Sequence, residues 1–190
     1  MAWNIRDHEL IECIEGGLRA VSLDRLPGDR YEDPELDVLL YLKRSLRLSG
    51  LPVIGRGLGI IGLIREPSDL QVETFEGASR IMTRATRAIS TRFPPIRNGH
   101  GLAILSCLLI TTSRPIAPHT ETHLETLLDR QSKTQRAVVL GCFVVNPEQL
   151  VMAQAVRRAS GFDYPEPVLL ADALAPRFRR YVPLMPPDGS

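Results

Sequence analysis

The chain has 190 residues, 44% of them apolar and 24% charged, with a formal net charge of +1. Those proportions suit one ordinary folded domain with a sizeable core, and a charge so near zero excludes a surface tuned throughout to nucleic acid, so any anion site has to be a local patch. No run approaches the roughly 18 apolar residues of a membrane-spanning helix, and Met1 opens without the basic and apolar regions of a secretory signal.

In chain order, Leu10, Ile11, Ile14 and Leu18 share one stripe and predict a helix over about 5 to 21, weakened late by Gly16 and Gly17. Leu26-Pro27-Gly28-Asp29 reads as a turn. Asp33-Pro34 supplies an N-cap and a first-position proline, Leu36, Leu39, Leu40 and Leu46 recur at helical spacing, and Gly50 marks a stop, which together predict a second helix over 34 to 48. From residue 69 the expected elements alternate: strand Asp69 to Phe75, helix Gly77 to Thr91, buried strand Leu102 to Thr112, helix Thr122 to Arg130, strand Arg136 to Val145, and helix Pro147 to Ala159 capped by Asn146. A further helical segment, Val168 to Tyr181, is interrupted at Pro176. The expectation is therefore an α/β (or α+β) fold: one domain over 1–182, with a mixed, partly parallel sheet covered by helices, two N-terminal helices, and a Pro-rich tail at 183–190.

Five places carry candidate chemistry. Gly57, Gly59 and Gly62 spell a formal GxGxxG, but Pro67 follows too soon for the helix a dinucleotide site needs, so the glycines read better as a bulged apolar strand or a loop packed on the core. Ile54, Arg56, Gly57, Gly59 and Ile60 in that stretch form an alternative interface or ligand loop. On the helix from Gly77, Arg80, Arg84 and Arg87 share one face opposite Ile81, Ala85, Ala88 and Ile89, with no acid after Glu76. Arg92 and Arg97 follow around Phe93-Pro94-Pro95, so a counter-anion is expected on this row.

His119 and His123 have the spacing of a helical metal pair, but His119 follows Pro118, and Thr122 with Glu125 fits a capping box more simply, so no metal is expected. Cys107 pairs on paper with His100 or His119 as a nucleophile, yet it and Cys142 sit in apolar strands and read as buried thiols. The junction at Asn146 lies at the carboxyl end of a strand, the default place for a ligand in an open α/β sheet.

Twenty-one of the 23 basic residues are Arg; the other two are Lys43 and Lys133. Arg suits bidentate anion recognition, although compositional pressure on compact or overprinted genes gives the same bias. Lacking a catalytic constellation, the chain is expected to be a binding or assembly protein of the viral structural (matrix-like) or accessory kind, without a cofactor. Its expected partners are a protein or a second copy of itself, with RNA or an anionic membrane surface as the charged target. The odd set of Cys13, Cys107 and Cys142 fits reduced thiols and an intracellular, cytoplasmic setting with peripheral membrane association. The competing reading is a small α/β enzyme on a phosphorylated or nucleotide ligand, with its site near Asn146 and the glycine loop.

Overall fold

The computed structural model describes residues 5–27, 36–47, 56–93, 103–131, 137–157 and 164–180. Among them the chain forms a mixed α/β structure: helix α1 (Ile5–Gly17), strands β1 (Asp24–Pro27), β2 (Asp37–Arg47) and β3 (Arg56–Arg65), helix α2 (Phe75–Arg92), β4 (Ala103–Thr111), α3 (Thr120–Asp129), β5 (Ala137–Asn146), β6 (Val151–Val156), α4 (Glu166–Leu174) and the short β7 (Arg179–Arg180). The seven strands lie side by side in sequence order. Pairing is parallel for β3–β4, β4–β5 and β6–β7 and antiparallel for the rest.

Helices α2 and α3 cross between the parallel strands and pack on one face of the sheet, where Ile81, Ile89, Leu124 and Leu128 meet Ile60, Ile104, Leu108 and Val144. On the other face α1 and α4 bring Ile11, Ile14, Leu170 and Leu174 against Ile61, Leu109, Phe143 and Val145. The near-continuous apolar runs of β4 and β5 follow from this, because strands covered on both faces have no solvent side to keep polar. The two strands pair directly in parallel, as the alternating pattern implied.

The segment expected as a second N-terminal helix is strand β2, so one helix and not two precedes the sheet. Its leucines mimic helical spacing because of a β-bulge. The register of β2 against β3 shifts between Val38 and Leu40, and Leu39, Leu40 and Leu42 all join the core on the α1/α4 face, while Tyr41 faces α2. An extra residue breaks the period of two, and the remaining intervals of three and four look helical. Asp33 and Pro34, offered as its cap, lie outside the described residues, as do Gly28, Asp29, Gly50, Ile54, Arg97, His100 and residues 183–190.

Two other expectations are corrected. Asp69 to Thr74 is not a strand but a run of turns that buries Leu70 and Val72 and ends at Thr74, whose hydroxyl caps α2 by accepting from Gly77 N at 3.0 Å. Pro147 to Ala159 is not a helix: Asn146 Oδ1 accepts from Glu148 N and Gln149 N at 2.9 Å each, as a cap would, but the chain reverses at Leu150 (φ 54°) and returns as antiparallel β6. The same side-chain chemistry starts a helix or closes an Asx turn, and local sequence cannot separate the two. Likewise α3 begins at Thr120 with His119 as its cap residue and no side-chain cap bond, so Thr122 and Glu125 lie inside the helix instead of forming a capping box.

Cys107 and Cys142 are fully buried, and burial pushes the Cys142 thiol up to about 12 and the Cys107 thiol well above its usual range. Cys13 is half-buried and its thiol donates to Ala173 O at 3.2 Å. A bulky maleimide should therefore add at most one label to the native protein, at Cys13, and three after unfolding in denaturant. Two or more labels in the native state, read by intact mass, would contradict this packing.

Candidate functional site

The glycine stretch resolves into packing. Its residues from Arg56 onward form β3, and the missing side chains make room for two tyrosine rings. A Cβ on Gly59 would stand 2.7 Å from Tyr164 Cε2, and one on Gly62 would stand 3.3 Å from Tyr41 Cε1. Tyr164 is buried, donates to Ile60 O at 3.0 Å, and has its hydroxyl pKa held well above the usual range by burial and by nearby Cys107 and Glu166. Gly59→Ala should accordingly cost about 1–3 kcal/mol by overpacking, with part of the loss recovered in a Gly59→Ala/Tyr164→Leu double variant. A Gly59→Ala protein as stable as the parent in urea would release the glycine for another role.

Asn146 is buried at the opposite end of the sheet from Gly57 and Gly59. In the parallel registers Gly57 lies beside Ala103 at the amino ends, whereas Thr111 lies beside both Arg65 and Val145 at the carboxyl ends. The glycines and Asn146 therefore do not share a pocket, contrary to the site expected for a small enzyme. Around Asn146 the carboxyl ends carry a polar knot. Glu66 accepts from Val72 N at 2.7 Å and from Thr112 Oγ1 at 2.6 Å, and Asn146 Nδ2 donates to Arg114 O at 2.7 Å. Arg114 approaches Glu66 and Glu73 at 4.0 and 3.9 Å, and both Arg114 Nη1 and Glu73 Oε2 are buried without a hydrogen-bond partner. Most of this chemistry is spent tying the loop before α2 to the loop before α3.

The arginine row of α2 divides. Arg80 pairs with Glu76 one turn earlier at 2.5 Å, so an acid of the same helix does offset it. Arg84 donates to both oxygens of Asp69, at 3.0 and 3.4 Å, and those bonds lower the Asp69 pKa. Arg92 ends the helix half-buried. Arg87 is exposed and has no carboxylate partner among the described residues.

Arg87 also stands on the rim of a groove of about 430 Å³ between α2 and α3. One wall is the α2 face bearing Phe75, Ser79, Thr83, Thr86 and Ser90, residues at successive turns of one helix side. The other wall is the end of α3, with Leu127, Arg130 and Gln131. Arg130 is exposed, lies 5.2 Å from the Phe75 ring centroid, and has no carboxylate partner among the described residues. Gln131 is fixed, its amide exchanging hydrogen bonds of 2.7 and 2.8 Å with the Val139 backbone.

The hydroxyls are directional. Thr83, Thr86 and Ser90, all lining the groove, each donate at 2.8 Å to the carbonyl one turn earlier, which leaves their oxygens with lone pairs to accept. Arg130 and the hydroxyl row carried no distinctive signal in the sequence. Arg130 is the last residue of the helix expected from Thr122, and the hydroxyls gain meaning only from the opposing wall.

His119 and His123 do come together, their ring centroids 4.7 Å apart, with Phe75 edge-on to His123 at 5.7 Å. Among the described residues no third His, Cys, Asp or Glu joins them to hold a metal ion. No described helix is long and apolar enough to cross a membrane. Comparison with protein-family models, curated proteins and solved structures finds no match to this chain.

Proposed function

We propose that the protein is a binding and assembly module, and that its charged partner is a phosphate-bearing ligand taken in the groove between α2 and α3. One observation carries the reading. Two guanidinium groups, Arg87 and Arg130, face one concave surface, and among its described lining residues there is no Asp, Glu, His or Cys to neutralise them or to act as base or nucleophile. Unpaired arginines in a groove favour an incoming oxyanion, which supplies the acceptors that the fold withholds. The rest of the row contributes less, since Arg80 and Arg84 already hold Glu76 and Asp69.

Titration with inorganic polyphosphate at low salt tests this by calorimetry. Binding should weaken as salt rises, vanish in an Arg87→Glu/Arg130→Glu variant of unchanged circular dichroism, and survive Arg80→Ala. Absence of binding by the parent protein at low salt overturns the reading.

The competing enzyme reading is favoured by a different observation, the partnerless buried atoms of Glu73 and Arg114 at the carboxyl ends of the parallel strands. It expects phosphomonoesters to raise the melting temperature in a manner lost in Arg114→Gln but indifferent to Arg87→Glu.

A further inference from the structure

We infer that the ligand of the α2–α3 groove is a single-stranded RNA segment, selected over DNA through its 2′-hydroxyls; this rests on the reading of the groove as a phosphate site. The first argument is spacing. Arg130 sits over Phe75 at one end, and Arg87 lies twelve residues further along α2 than Phe75, a rise of about 18 Å between those two backbone positions. Two posts set at different points along one groove suit a ligand that repeats its negative charge along its length.

The second argument is shape. A bilayer is flat and is held by apolar side chains as well as by charge, whereas this surface is concave. The large apolar residues exposed among the described ones, Leu150, Val156 and Val168, lie on the β5–β6 turn, β6 and α4, away from the groove. A single strand fits a trough and needs no apolar wedge.

The third argument is hydrogen-bond polarity. Between the two posts Thr83 and Thr86, and just past Arg87 Ser90, have given their protons to α2 carbonyls and present acceptors. A phosphate oxygen gains nothing from an acceptor. A ligand suited to this row alternates phosphates with donors, and the ribose 2′-hydroxyl is a donor at each repeat that DNA and polyphosphate lack. A net charge of +1 supplies no chain-wide attraction, so binding has to come from a local surface.

Fluorescence anisotropy with labelled ten-nucleotide oligo(rU) and oligo(dU), which differ at the 2′ position alone, tests the inference in the full chain. The expected result is RNA binding about three- to tenfold tighter than DNA, the scale of one or two modest hydrogen bonds. Removing either arginine should flatten the log–log salt dependence of both oligomers by about 0.7, one single-strand phosphate contact. Thr83→Val/Thr86→Val should erase the preference and leave oligo(dU) affinity unchanged, with Ser90→Ala as a second variant if that pair unfolds.

Equal affinity for the two oligomers, or a preference that survives both hydroxyl variants, overturns the RNA inference; if polyphosphate still binds through Arg87 and Arg130, the phosphate-groove reading stands without it. Binding to phosphatidylserine vesicles through Arg87 in preference to either oligomer also overturns it, in favour of a membrane surface. Failure of all four probes at low salt overturns both readings together.

Discussion

Replacing Arg44 by Met should lower the free energy of unfolding by about 3–5 kcal/mol, because it strands a buried carboxylate. Glu166, in the first turn of α4, is fully buried, and its Oε1 accepts from Arg44 Nε at 2.7 Å. Its other oxygen has no hydrogen-bond partner. The position at a helix N-terminus is favourable to a negative charge, but by roughly 0.3–1 kcal/mol, too little to replace the ion pair.

A double variant, Arg44→Met/Glu166→Leu, removes the charge as well as its partner and should recover most of the loss. Chemical denaturation of the parent, both single variants and the double variant gives the coupling directly. A loss below about 1 kcal/mol in Arg44→Met would mean that water reaches Glu166 and that the pair does not anchor α4.

Leu40→Ala should cost about 2–5 kcal/mol by opening a cavity on the α1/α4 face. Leu40 is 2% exposed and lies directly after the bulge of β2. The same loss would be expected if this segment were a packed helix, so stability alone does not report its geometry. Hydrogen exchange does: the amides of β2 bonded to β3 should be protected together with those of β3, as one cooperative ladder. An early-exchanging β2 beside a protected β3 would contradict the pairing, and a Leu40→Ala variant as stable as the parent would contradict the burial.

The candidate site shows a different mixture of legible and illegible residues. The amphipathic face of α2 was readable because Ile81, Ala85, Ala88 and Ile89 recur at the helical period and do pack on the sheet. Which of its arginines stay available was not readable. Asp69 reaches Arg84 from a turn that the sequence suggested was a strand, and Arg130 arrives from a helix that begins 28 residues after α2 ends. Charge pairing across elements depends on where loops place side chains, and spacing along one helix carries no record of that.

What the sequence by itself determined is the set of elements whose signal is local and redundant: α1, α2, α3, and the two buried strands β4 and β5 in their parallel βαβ setting. In the helices the hydrophobic period and the length agree, and in the two strands the near-continuous apolar run and the length do. Only the tertiary structure decided β2, β6, the purpose of the glycines and the composition of the groove.

A bulge in β2 disguises a period of two as one of three and four, and the hydrogen bonds of Asn146 serve a turn or a helix equally well. Gly59 is legible as a space for Tyr164 once a residue 105 positions away is packed against it. Those choices rest on contacts between segments remote in sequence, whose energies outweigh local preferences when the sheet closes.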